Sequence, residues 1–240
     1  DEDIIAAETF DGFLRFVNRK IPVYMSEGTK SIVEVSMVFL RNLGIHAGQF
    51  DRVKTFDLRK KEPIKLDDFK ITPYIMDHSA PDASAFLIEA DGKRLFYTGD
   101  FRGHGRKRVL LQRLIDNPLR DLDCLLMEGT NIRPEEEAAE GLCKDEEAVQ
   151  KALYDIISIQ RSYTFIFCSS QNLDRIVSIF KAVKDARKTL VMDFYTAYVL
   201  KKLGDALPGR SIPQFSWDEI RLLAASHHES KLKRYDEETL

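Results

Sequence analysis

The sequence lacks the features that would remove it from the ordinary globular class. It contains no apolar run approaching the roughly 18 residues that a membrane span requires, so no membrane association is expected. Its opening Asp1-Glu2-Asp3 has neither the basic start nor the apolar stretch of a secretory signal. It has no excess of one charge: 36 basic and 39 acidic residues leave a net charge of −3. An anionic partner would therefore need a local basic patch, because bulk attraction is absent. Cysteine is scarce, and Cys124, Cys143 and Cys168 are odd in number, widely spaced and outside any CxxC pair. That excludes a disulfide framework and points to reduced thiols in a cytoplasmic protein. Internal repeats and low-complexity segments are also missing.

What is present is a chain of 240 residues, 44% hydrophobic and 31% charged, long enough for one large domain or two modest ones. Ser31-Ile32-Val33-Glu34 has the form of a capping box, with Val35, Val38 and Phe39 on one face behind it and Gly44 as a stop. Ser84–Ala90 and Lys93–Thr98 read as strands joined by Asp91-Gly92, the strongest short hairpin signal. Leu122–Met127 is short and apolar, as a buried strand would be. Beyond Gly129 the period alternates. Asp145 caps a helix with a stripe of Val149, Ala152, Leu153, Ile156 and Ile157. Tyr163–Cys168 is expected as a strand, Leu173 to Val183 as a helix with Ile176, Val177 and Phe180 inward, and Thr189–Met192 as another strand. Such alternation implies parallel pairing with helices on the sheet. Arg133–Gly141 reads as the crossover between the halves.

Chemistry is concentrated at strand ends. One strand finishes at Met76 and delivers Asp77-His78 into a proline-bounded loop. The next hairpin finishes in Tyr97-Thr98-Gly99-Asp100, where the glycine permits close backbone approach. A third apolar run finishes in Glu128-Gly129-Thr130. A neutral imidazole and a carboxylate converging from adjacent strands suit zinc or manganese; equally, a capped loop with a hydrogen-bonded histidine has this pattern. The run behind Asp100 holds Arg102, Arg106, Lys107, Arg108 and Arg113 with no acid, either a solvated basic loop or, beside a metal, a phosphate surface. His104 lies in the same run, where it is a candidate phosphate contact or a flexible-loop residue. Ser169 and Ser170 precede a helix, where they either help hold an anion or serve as ordinary caps. Asp193 reads as a helix cap, and His46 and His227-His228 as surface residues.

In order and spacing, Asp77-His78-Ser79, Tyr97-Thr98-Gly99-Asp100 and Glu128-Gly129-Thr130 resemble successive motifs of the metallo-β-lactamase fold in its β-CASP nuclease branch, the ribonuclease J-like and cleavage-factor-like enzymes. Ile21-Pro22-Val23-Tyr24-Met25 resembles the strand entering that fold's first helix. Cys168-Ser169-Ser170-Gln171-Asn172-Leu173-Asp174-Arg175 resembles the strand-to-helix turn of the inserted β-CASP domain. The resemblance implies an α/β chain with a metallo-β-lactamase-like αββα portion over 1–130 and a Rossmann-like β-CASP portion over 131–240, incomplete at one or both ends. It implies His78 as a metal ligand, Asp100 as a carboxylate bridging two zinc ions and Glu128 as the acid that marks the branch, with Asp100 and Glu128 catalytic. Arg102, His104, Arg106, Lys107, Ser169 and Ser170 would then contact RNA or another single-stranded nucleic acid, and a homodimer is an expected assembly. The implied reaction is metal-dependent hydrolysis of RNA phosphodiesters, two metals generating the nucleophile and clamping the reacting oxygens. A small-molecule hydrolase of the same fold and a non-catalytic scaffolding relative are the rival expectations.

One departure bears on all of these. The family's HxHxDH signature belongs shortly before Ile21, yet no histidine precedes His46. With Gly12 aligned to the glycine after that motif, the ligand positions hold Ile5, Ala7, Thr9 and Phe10. A fragment of a longer enzyme and a metal-depleted relative both fit, and zinc occupancy in this chain is in doubt on either account.

Overall fold

The computed structural model describes residues 23–42, 53–60, 62–130 and 144–223. The chain divides into two compact units, residues 1–56 with 189–240 and residues 57–188. Arg133–Gly141, His46, His227-His228, Cys143, Gly12, Gly44 and the aligned ligand positions 5–10 lie outside the described residues. Described strands and five described helices make a mixed α/β protein.

The 57–188 unit is built on a five-stranded sheet in the order β3 (Ile64–Leu66), β4 (Phe69–Ile75), β5 (Ser84–Ala90), β6 (Lys93–Tyr97) and β7 (Cys124–Leu126). Asp91 and Gly92 both take positive φ, 51° and 70°, the geometry that a tight right-twisted hairpin demands. The turn fixes the register, pairing Leu87 with Phe96. Alternation along β5 then buries Ala85 and Leu87 on one face. Met76 and Phe96 complete that cluster, and Leu111, Leu114, Leu119 and Leu122 pack against it. Leu111 and Leu114 belong to helix α2 (Arg108–Asp116). That helix lies in the connection between β6 and β7, which pair in parallel and therefore need a crossover. Helices α3 (Glu146–Ile159) and α4 (Leu173–Asp185) pack on each other in the same unit. Asp145 caps α3 as expected, accepting from the Ala148 amide at 2.8 Å.

In the other unit, β1 (Val23–Ser26) pairs in parallel with β2 (Val53–Phe56), and β8 (Leu190–Met192) with β9 (Ile220–Leu222). Helix α1 (Glu27–Asn42) lies between the first two strands and α5 (Phe194–Ala206) between the second two. These helices meet through Phe39 and Tyr195, whose rings stand edge to face at 4.7 Å, and through Ser36 and Tyr195 hydroxyls 3.0 Å apart. Asp193 caps α5, accepting from the Thr196 amide (2.9 Å) and hydroxyl (2.6 Å).

Several expectations need correction. Helix α1 begins a turn before Ser31, because β1 runs straight into it. Ser26 is the residue that accepts the Thr29 amide (3.2 Å), while the Ser31 hydroxyl donates back to the Glu27 carbonyl. The segment Tyr163–Cys168 forms no strand: none of the described strands pairs with it, and Tyr163, Phe165 and Phe167 are 92%, 84% and 96% exposed. Alternating residues propose a strand, but only a neighbouring backbone completes the ladder. Within α3 the expected stripe buries only Ile157, whereas α4 buries Leu173, Ile176, Phe180 and Val183 as read and leaves Val177 half-buried. Among the described residues no helix is long and apolar enough to cross a membrane.

Leu87→Ala removes a side chain wedged beside Phe96 and Met76. It should lower the unfolding free energy by about 3 kcal/mol, whereas exposed Val109→Ala should change it by less than about 0.5 kcal/mol. Urea midpoints at unchanged slope measure both.

Candidate functional site

Sheet direction alone brings the three candidate endings together. β4 and β6 are each antiparallel to β5, and β7 is parallel to β6, so the C-terminal ends of β4, β6 and β7 lie at one edge. Those ends release Asp77-His78, Asp100 and Glu128. Hydrogen bonds then knit the loops into one cluster. The Thr98 amide donates to the Leu126 carbonyl (3.0 Å), the Glu128 amide to the Thr98 hydroxyl (3.4 Å), and the Arg102 amide to the Asp77 carbonyl (2.7 Å).

Glu128 is half-buried. Its Oε1 accepts the Phe101 amide at 2.6 Å, holding the backbone immediately after Asp100. Gly99 has φ of 55°, and a Cβ there would stand 2.8 Å from the Ser84 carbonyl oxygen, so the close approach read from sequence is real. Asp100 itself is exposed. His78 is half-buried, with Nδ1 3.3 Å from the Ser79 hydroxyl. The Ser79 carbonyl accepts the Asp174 amide (3.5 Å), so the start of α4 sits beside the loop carrying His78. Asp77 is wholly buried and accepts amides from Gly105 (2.7 Å) and Lys107 (3.1 Å).

The basic run behaves differently from a solvent-facing phosphate surface. Arg102, 13% exposed, donates to Asp174 Oδ2 at 2.6 Å and stands 3.8 Å from Glu146. Arg106 donates through its amide to Asp174 Oδ2 (3.1 Å) and through its guanidinium to Gln150 (3.1 Å) and the Ser178 hydroxyl (2.9 Å). Lys107 Nζ donates to the carbonyls of Ala80 and Pro81, bracing the His78 loop. Arg108 is exposed and bridges Asp145 (3.1 Å) and Glu147 (2.7 Å). His104 is exposed, and its carbonyl accepts the Glu146 amide (3.2 Å). At the start of α4 the cap is Asn172, which accepts the Arg175 amide, while Ser169 Oγ accepts the Gln171 amide.

Sequence reasoning missed the acids that bind this run. Glu146 is 1% exposed and is met by Arg175 (3.3 Å) and the Ser178 hydroxyl (2.6 Å). Burial pushes its carboxyl up, but the Ser178 and Arg175 hydrogen bonds, with the charges of Arg175 and Arg102, outweigh that and hold it below the ordinary value. The available signal was the pairing of an acid-free basic loop with acids in the first turns of two later helices.

The lactamase fold commonly carries zinc, and the donor set tests whether this chain can hold it. Among the described residues no three His, Cys, Asp or Glu side chains are grouped as a metal ion would need. Asp77 accepts two amides and Glu128 one, which leaves His78 and Asp100 as the candidate donors at this edge. The described residues do not fit a complete metal centre.

The beta-lactamase superfamily domain model matches residues 6–161, and the chain belongs to that family, whose fold is that of metallo-hydrolases. The crystal structure of a protein of unknown function from Enterococcus faecalis V583 is similar over 89% of this chain, with a TM-score of 0.61 and 21% identity. At that identity the likeness shows the fold alone. The chain spans about half of that protein, 51% of its length. No curated protein matches it.

Glu146→Ala takes from Arg175 its carboxylate partner and from Arg102 one of two, and should cost about 3 kcal/mol. The lowered carboxyl stabilises the fold at neutral pH, fully above its unfolded value, and that contribution is lost as pH falls through the folded value. Urea midpoints recorded between neutral and acid pH should fall less steeply in Glu146→Gln than in the wild type.

Proposed function

We propose that this chain is part of a metal-dependent hydrolase that cleaves RNA phosphodiesters, of the β-CASP kind, with zinc as its metal. The observation that carries the reading is the shared strand edge, where His78 and Asp100 stand on loops tied down by Asp77 and Glu128. Family membership supports the hydrolytic part. The order of the strand-end motifs supports the nuclease part, as does the tether between Ser79 and Asp174, which brings the turn after Ser169 and Ser170 close to the His78 loop. In this reading 1–130 is the lactamase-like portion, 131–240 the β-CASP portion, and the protein works on RNA in the cytoplasm. His78 and Asp100 are the zinc donors of the described chain, and two donors leave an ion mostly hydrated and weakly held.

A specific observation favours a second reading, a non-catalytic nucleic-acid-binding or scaffolding relative: among the described residues no three His, Cys, Asp or Glu side chains are grouped to hold a metal.

The 240 residues by themselves should purify with far less than stoichiometric zinc by elemental analysis and turn over no labelled RNA. The longest natural form of the protein should cleave single-stranded RNA and leave nitrocefin and thioesters intact. Asp100→Asn in that form should lower turnover on the order of a hundredfold or more. Near-stoichiometric zinc on the 240-residue chain, lost when His78 and Asp100 both become alanine, would reveal a complete site. Hydrolysis of nitrocefin or thioesters without RNA cleavage would replace the nuclease with a small-molecule hydrolase. Salt-sensitive RNA binding without cleavage by the longest form would support the non-catalytic reading.

A further inference from the structure

We propose that Asp77 is the positioning residue of the strand-edge site, holding the loop behind Asp100 in place through backbone amides, with Gly105 as its obligatory partner. This deepens the hydrolytic reading and rests on it for its catalytic consequence.

The geometry is specific. Asp77 has no exposed surface, and one oxygen accepts the Gly105 amide at 2.7 Å while the other accepts the Lys107 amide at 3.1 Å. Its carbonyl accepts the Arg102 amide at 2.7 Å. One residue thus grips the 102–107 loop at three amides, and its backbone leads directly into His78. Between Asp100 and that loop, Glu128 grips the Phe101 amide. Asp100 stands directly before backbone that both carboxylates hold. A carboxylate that accepts amide hydrogens makes charge-assisted bonds in a place without water, so each constrains the loop more than an exposed contact would.

Gly105 explains why the grip is so close. A Cβ built there would stand 2.2 Å from Asp77 Oδ1 and 2.7 Å from Arg102 Nε, neither of which is a tolerable separation. Arg102 Nε is buried without a hydrogen-bond partner, so the guanidinium is held by its outer nitrogens on Asp174 and Glu146 and cannot swing aside cheaply. Any side chain at position 105 must push the loop off Asp77. The G-H-G spacing around His104 therefore serves this contact at its second glycine.

A residue needed only for folding would unsettle the whole unit when changed; a positioning residue unsettles one loop and the chemistry beside it. Asp77→Asn keeps the shape but turns one acceptor into a donor facing an amide, and Gly105→Ala keeps Asp77 while forcing the loop away. Amide hydrogen exchange on the purified 240-residue chain gives a readout independent of activity. Both variants should speed exchange at Gly105, Lys107 and Arg102 at least about tenfold, with Leu87 and Phe96 unchanged, and the double variant should add little to either single one. In the longest natural form, kcat on single-stranded RNA should fall at least about tenfold with KM within about twofold.

Unchanged exchange at the loop in both variants overturns the proposal whatever the activity. Equal acceleration across the core strands in both variants also overturns it, because Asp77 would then be a general folding residue. Loosened loop amides with kcat intact would separate Asp77 from catalysis and overturn the positioning role. A wild-type protein that hydrolyses nothing overturns the hydrolytic reading alone, and the exchange pattern still decides whether Asp77 and Gly105 hold the loop.

Discussion

A carboxylate with almost no access to water has to be neutralised where it stands, and much of the 57–188 unit is arranged around that requirement at Glu146. Arg102 reaches it from the loop after β6, Arg175 and Ser178 from α4, and its own amide meets the His104 carbonyl. Asp174, one turn away on α4, takes the rest of Arg102 and the Arg106 amide. Such a network contributes little net free energy against a well-packed apolar replacement, yet removing one member is expensive. Its effect is therefore on arrangement: α3, α4 and the loop behind Asp100 satisfy their charges only when all three are in register.

That arrangement determines what the strand edge can present. The topology places the ends of β4, β6 and β7 together, and the loops there are held by carboxylates that accept backbone amides instead of facing outward. Asp77 and Glu128 thereby hold loop backbone, and His78 and Asp100 stand on the segments beside them. Here the described segments supply a hydrogen-bonded frame around His78 and Asp100, so loop placement sets where those two side chains stand.

Much of this was legible in the residues themselves. The Asp91-Gly92 hairpin, the Asp145 and Asp193 caps and the inward stripe of α4 depend on contacts within a few positions, so local pattern determined them. That Asp77-His78, Asp100 and Glu128 each end a strand was likewise readable, and the sheet brings those ends together. Short range is what made them readable. Only the tertiary structure decided the fate of Arg102, Arg106 and Lys107, because their partners lie on helices far along the chain, and an acid-free run looks the same whether it faces solvent or a buried carboxylate. It also decided that Tyr163–Cys168 stays outside the sheet, since a strand exists only where another backbone completes its hydrogen bonds. And it assigned Asp77 its grip on Gly105, a contact between two loops that pairing in the sheet brings together and that no spacing rule encodes.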